Sequence, residues 1–248
     1  MLDQRSPRAR CSGRGPQQRV IADVVIPALD EELALPHVLA EIPPERVRRV
    51  VVCDNGSTDR TAEVARAAGA TVVREPRRGY GSACARALEL LAGDPPDVVV
   101  FLDGDRSDRP GEMGLLLDAI AGGADLVVGS RVLGRRERGS LTPQQRVGNA
   151  VACALLRGIY GARYTDLGPF RAIRWHSLVR LGMRDPDYGW TVEMQIKAAR
   201  LGLRHAEVPV SYRRRIGRSK VSGTITGTVR ASASILGLLA RHARTPLP

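Results

Sequence analysis

The sequence predicts an α/β fold: a single domain with a mainly parallel central sheet flanked by helices. Two observations carry this prediction. Short runs rich in Val, Ile and Leu alternate with helix-period segments through residues 20–128, which is the pattern of βαβ units with right-handed crossovers. Polar clusters also stand directly after three of those runs, at residues 27–31, 54–59 and 103–108. In open α/β sheets, ligands bind beyond the carboxyl ends of the strands.

The elements follow in order. Residues 20–26 are almost continuously apolar and β-branched, as a strand covered on both faces must be. A helix over 31–40 is stopped by Pro43-Pro44. A second strand spans 47–53. Ser57 or Thr58 can cap the next helix, which Gly69 ends. A short strand at 71–73 and a helix at 80–91 precede the Asp94-Pro95-Pro96 turn, after which 98–102 is a strand. Pro110 opens a helix that stops at Gly122-Gly123, and 125–128 is the fifth strand. The second half is less regular: helix 143–160, strand 170–173, helix 191–201, strand 205–210 and a last helix over 224–241.

The 248 residues, 43% of them hydrophobic, suffice for one well-buried core. The net charge of +12 is confined to the two ends: residues 1–19 carry +4, residues 204–248 carry +8, and the stretch between balances. We therefore expect a disordered, solvated Arg-rich tail over 1–19, the folded domain over 20–222 and a C-terminal helix and tail over 223–248. Basic ends suit a phosphate-bearing partner or an anionic membrane surface. Nucleic acid is the poorer partner, because aromatic residues make up 4% of the chain and stacking platforms are scarce. Cys11, Cys53, Cys84 and Cys153 form no CxxC pair, so reduced thiols and a cytoplasmic setting are the simple expectation. No window approaches the ~20 apolar residues that cross a bilayer. Peripheral attachment to the inner membrane face stays open.

Asp103-Gly104-Asp105 is the strongest chemical signal. Two carboxylates flanking one small residue at a strand end can face a single cation. Hard oxygens select Mg²⁺ or Mn²⁺, which usually bridges to substrate phosphates. Asp108 reads as the N-cap of the helix that Pro110 opens. Turn chemistry explains Asn55, Gly56 and Ser57 but not Asp54, which ends an apolar strand where a carboxylate can hydrogen-bond a ribose or base. Arg213-Arg214-Arg215-Ile216-Gly217-Arg218-Ser219-Lys220 puts five cations in eight residues, a pattern fit for phosphate. A solvated basic loop is the competing reading. Glu193 is either a general base or a carboxylate favoured by a helix N-terminus. The helix over 224–241, with Ile225, Val229, Ile235, Leu236 and Leu239, lies at a membrane interface or packs on the core.

Taken in order, Val25-Ile26-Pro27-Ala28-Leu29-Asp30-Glu31, Val52-Cys53-Asp54-Asn55-Gly56-Ser57-Thr58-Asp59 and Asp103-Gly104-Asp105 resemble the signature of family 2 glycosyltransferases. Arg78-Gly79-Tyr80-Gly81, Gly129-Ser130-Arg131, Thr165-Asp166-Leu167-Gly168-Pro169-Phe170-Arg171-Ala172 and Gly189-Trp190-Thr191-Val192-Glu193 bring it closest to dolichyl- and polyprenyl-phosphate mannosyl- or glucosyltransferases. The likeness covers about residues 20–222 and implies a Rossmann-like GT-A domain.

It also implies roles. Pro27, Asp30, Glu31, Asp54, Arg78, Gly79, Asp103 and Gly104 would bind the nucleotide-sugar donor, GDP-mannose or UDP-glucose. Asp103 and Asp105 would hold Mg²⁺ or Mn²⁺. Asp105, Glu193 and Arg131 would serve catalysis, and Arg171, Arg213, Arg215, Arg218 and Lys220 the acceptor phosphate. The expected reaction is inverting transfer of a hexose to polyprenyl phosphate. A soluble phosphorylated acceptor, or a nucleotide-sugar-binding protein without turnover, are the alternatives. A nucleotidyltransferase should show an early Gly-rich basic loop, and Ala28-Leu29-Asp30-Glu31 is not one.

Overall fold

A computed structural model describes residues 19–217 and Gly237. The tail expected over 1–19 therefore falls almost wholly outside the described residues. So do Arg218, Lys220 and, but for Gly237, the helix expected over 224–241.

The chain alternates β1 (Ala22–Ala28), α1 (Leu35–Ala40), β2 (Val47–Asp54), α2 (Thr61–Ala67), β3 (Thr71–Arg74), α3 (Tyr80–Leu91) and β4 (Val98–Phe101). It continues through α4 (Met113–Ala121), β5 (Leu126–Ser130), α5 (Pro143–Tyr160), β6 (Arg171–Arg174), α6 (Trp175–Leu181), α7 (Trp190–Arg200) and β7 (His205–Pro209). The seven strands form one sheet in the order β3-β2-β1-β4-β6-β5-β7. All pairings are parallel except those of β6, which runs against both β4 and β5. Strand order reverses between β1 and β4, so a crevice opens where their carboxyl ends diverge.

Strand residues alternate between two buried clusters, as the two-residue period of a pleated sheet requires. Val25, Val51, Cys53, Val99 and Phe101 point to one face, which α3, α5, α6 and α7 cover through Ala87, Leu156, Leu178 and Ile196. Val24, Ile26, Val52, Val98 and Val100 point to the other, under Leu35 and Val38 of α1, Ala65 of α2 and Leu116 and Ile120 of α4. Each fully buried side chain of this size contributes roughly 1.5–3 kcal/mol. Among the described residues, no helix is long and apolar enough to cross a membrane.

Three local expectations need correction. The helix expected from residue 31 begins only at Leu35, because the turn before it is pinned: Glu31 N–H donates to the Thr61 hydroxyl (2.7 Å), and Asp30 sits at φ 49°. Ser57 and Thr58 do not cap α2. The Ser57 hydroxyl accepts from Asp30 N–H, and Asp59 accepts from Thr61 N–H at the true helix start. Asp108 caps nothing either: Pro110 opens a single 3₁₀ turn preceded by Arg109 without a side-chain cap. The helix at 143–160 lies where it is expected, closed at its start by a Thr142–Gln145 capping box. The short α6 had no expectation in the sequence.

Candidate active site

The end of β4 carries the acidic cluster into the crevice. Asp105 and Asp108 are buried, Asp103 half-buried. The Asp105 carboxylate accepts from Ser107 N–H (2.9 Å) and forms an ion pair with Arg215 (3.0 Å). Asp108 turns back under the cluster, one oxygen facing Asp103 N–H at 3.4 Å and the other buried without a protein partner. Burial, followed by the charge of Asp105, raises the carboxyl pKa of both Asp103 and Asp108. Like charges in a poorly solvated site resist ionising together. The segment after β7 closes over the cluster, with Ile216 N–H donating to Asp105 C=O (3.0 Å) and Arg213 N–H to Ser107 C=O (2.8 Å).

At the end of β5, Arg131 is clamped by Asp166 through its backbone N–H (2.7 Å) and the Nε and Nη2 edge of its guanidinium (2.8 and 2.6 Å), and it lies 5.0 Å over the Tyr212 ring. Its charge still acts on Asp103 and Asp108. The ends of β1 and β2 form the other wall. Asp54 accepts from Ser57 N–H (2.9 Å), and Asp30 accepts from Thr58 N–H (2.7 Å). Asn55 joins this wall to the next loop: its amide donates to Glu75 C=O and Arg77 C=O, and its oxygen accepts from Gly79 N–H. Arg78 reaches back to Gly56 C=O (3.1 Å). Pro27 and Glu31 border this wall, and Gly104 packs against Ile26 and Leu35.

Three residues expected in the site are engaged elsewhere. Arg171 is 1% exposed and spends its guanidinium on the carbonyls of Leu167, Gly168 and Thr191, so it braces the loop that enters β6. Arg213 is paired at both ends with Glu41 (2.8 and 3.0 Å) and donates to Asp108 C=O, which takes it out of a phosphate grip. Glu193, 2% exposed, accepts from Arg184 N–H and Asp185 N–H and pairs with Lys197 (2.6 Å). The turn it builds presents Pro186 C=O to Ser82 N–H at the start of α3 (2.8 Å). Glu193 thus braces the start of α3 from behind, through the 184–186 turn.

The match to known proteins decides the family. Residues 23–201 fit the family model described as Glycosyl transferase family 2. The chain belongs to this family. The glycosyltransferase is 42% identical to an uncharacterised glycosyltransferase of Mycobacterium tuberculosis (strain ATCC 25618 / H37Rv) over 208 residues, 83% of this chain and 92% of the relative. It is 31% identical to undecaprenyl-phosphate mannosyltransferase of Micrococcus luteus over 231 residues, 88% of this chain and 94% of that one. Among solved structures it matches glucosyl-3-phosphoglycerate synthase from Mycobacterium tuberculosis, in complex with Mn²⁺, UDP and glucosyl-3-phosphoglycerate. That match has a TM-score of 0.73 and 28% identity, over 92% of this chain and 81% of that chain. The fold of the glycosyltransferase is GT-A.

A divalent cation fits the acidic cluster in donor chemistry. Asp103 and Asp105 offer hard oxygens, and the buried, unpartnered oxygen of Asp108 together with the mutual repulsion of the carboxylates favours added positive charge. Among the described residues, no three His, Cys, Asp or Glu side chains converge as a complete cage. A glycosyltransferase of this kind would draw further ligands from its donor's phosphates. Asn55, Asp166 and Tyr212 are the contributors that sequence reasoning missed. Asn55 was hidden by its fitness for a turn, while Asp166 and Tyr212 bear on the site through Arg131, a pairing across 35 residues in the first case.

Proposed function

We propose that this glycosyltransferase transfers mannose or glucose, with inversion, from GDP-mannose or UDP-glucose to the phosphate of a polyprenyl phosphate. The carrying observation is the Asp103-Gly104-Asp105 end of β4 at the switch point, with the cations of Arg215 and Arg131 beside it. Asp103 and Asp105 would hold Mg²⁺ or Mn²⁺, which when bound offsets charge on the diphosphate leaving group. Arg215 stands where it can exchange its carboxylate partner for a phosphate oxygen. Asp54, Asp30 and the loop ending at Arg78 and Gly79 would receive the nucleoside, and Arg131, fixed by Asp166, would sit near the phosphates or sugar.

The fate of Glu193 supports a phosphate acceptor. No free carboxylate base is supplied at that position, and a phosphate monoester needs none. Its second pKa is near ~6, so it is already nucleophilic at neutral pH. The similarity to an undecaprenyl-phosphate mannosyltransferase supports the lipid. It would place the chain at the surface of a membrane, in the cytoplasm. The likeness to glucosyl-3-phosphoglycerate synthase favours a second reading, a soluble phosphorylated acceptor.

Calorimetry with each donor, with Mn²⁺ or Mg²⁺ and then with chelator, tests the donor half. We expect one nucleotide sugar to bind only with metal, and Asp105→Ala to lower transfer by at least 10²-fold. Unchanged metal-dependent transfer by Asp105→Ala would sink the central claim. Offering polyprenyl phosphate and 3-phosphoglycerate in parallel separates the acceptors, and the anomeric configuration of the product reads inversion.

A further inference from the structure

The cations around the acidic cluster are not equally free to leave their partners. Arg131 is held by both oxygens of Asp166, and Arg213 by both oxygens of Glu41 and by Asp108 C=O. Arg215 is different. Its ion pair, 3.0 Å from Nη2 to Oδ2, is with Asp105, and among the described residues no second carboxylate pairs with it. The pair is also lopsided: the Arg215 side chain is 29% exposed and that of Asp105 6%. The guanidinium has a way out towards solvent, and the carboxylate has none.

The backbone on either side of Arg215 is pinned to the loop it covers. Arg213 N–H donates to Ser107 C=O (2.8 Å) and Ile216 N–H to Asp105 C=O (3.0 Å). Movement here is therefore the swing of one side chain, with the segment staying in place. The second Asp105 oxygen accepts from Ser107 N–H (2.9 Å), which fixes the carboxylate and leaves Oδ2 to its cation. That cation is needed, because the charge of Asp105 bears on both Asp103 and Asp108. Two cations on one buried carboxylate repel each other, since burial limits screening. Arg215 can therefore leave Asp105 only as another cation arrives, and it cannot comfortably stay once one has.

We propose that Arg215 and a divalent cation are alternative partners of Asp105, and that a diphosphate favours the exchange by taking up the displaced guanidinium. The inference rests on the reading that Asp103 and Asp105 hold the cation. It makes Arg215 a gate on loading. The cation by itself binds weakly, because each contact it gains on Asp105 costs the charge-assisted one already there. With a diphosphate present, the guanidinium has an anion to move onto, and Arg131 and Arg213 do not compete for it, being held by Asp166 and Glu41. Cation and diphosphate then strengthen each other's binding by the same factor, as linkage between two ligands requires.

Electron paramagnetic resonance of free Mn²⁺ tests this on the full chain without turnover. Mn²⁺ is titrated alone and then with UDP or GDP, with the Mn²⁺ held by the nucleotide itself subtracted. Arg215→Met should bind Mn²⁺ alone roughly tenfold more tightly than the native chain, the effect of one charge-assisted contact removed. The nucleotide should also enhance Mn²⁺ binding less in this variant than in the native chain. Arg215→Lys keeps the charge and should follow the native pattern. Should Arg215→Met fold poorly by circular dichroism, Arg215→Gln takes its place. The sign decides: a merely structural Arg215 would weaken Mn²⁺ binding when replaced, and that result overturns the exchange. So does an unchanged Mn²⁺ affinity in Arg215→Met and Arg215→Gln while Asp105→Ala loses Mn²⁺, an outcome that leaves the cation reading standing. Native Mn²⁺ binding by Asp105→Ala overturns both.

Discussion

Cys53, Cys84 and Cys153 are all buried. Burial first, then neighbouring carboxylates, pushes the Cys53 and Cys153 thiols up to about 12, and burial raises Cys84 as well. Since the thiolate is the reactive form, we expect Cys11→Ser protein to take up no label at pH 8 when native and three labels when denatured, counted by mass spectrometry. Single residues also show what could be read in advance. The placement of Asp103, Asp105 and Asp54 at or beyond the carboxyl ends of β4 and β2 was legible from the apolar runs they follow, whereas the turn bonds that Asp54 and Asp105 accept from Ser57 N–H and Ser107 N–H were not. Glu193, Arg171 and Arg213 looked equally functional in sequence, yet each is consumed by partners the fold brings from elsewhere: Lys197 and two amides, three carbonyls, and Glu41. Charge type is visible in a sequence, but the partner that takes up the charge is not.

Among the elements, α3 depends most on close approach. Its first turn lies so near the 185–187 turn that a Cβ at Gly81 would come within 1.9 Å of Asp185 C=O. Gly→Ala in a helix ordinarily gains about 1 kcal/mol. Here backbone must move, so Gly81→Ala should destabilise by about 2–4 kcal/mol, read as a lower midpoint in urea. Donor binding should weaken in parallel, because Asn55 ties Gly79 to the end of β2. The α5 boundaries were readable from Thr142, Pro143 and Gly161, which carry their own stop and start chemistry. Those of α1 and α2 were not, since the residues that cap in sequence are drawn into bonds between the two loops.

Across the whole molecule, the Arg213–Glu41 pair joins positions 172 residues apart and ties the segment above the acidic cluster to the end of α1. The Arg213 guanidinium, bonded to it, holds the Glu41 carboxyl below its usual range against the opposing effect of burial. The pair's contribution is therefore complete above the unfolded pKa of ~4.3 and is lost as pH falls through the lower folded value. Arg213→Met should cost about 1–2 kcal/mol at pH 7, allowing for the partial exposure of Glu41, and should flatten the fall of Tm below pH 5 in scanning calorimetry. The parallel sheet was legible as a whole, because its strands are apolar throughout. The reversal of β6 was not, since direction leaves no trace in composition. That reversal has a consequence for how such a protein can diverge. Two strand spacings, roughly 9.5 Å, separate the ends of β4 and β5, and the chain entering β6 crosses that gap at the mouth of the crevice. Residues 131–170 can thus lengthen or change without disturbing the ladders of β1 to β4, leaving one half of the molecule free to vary while the other keeps its shape.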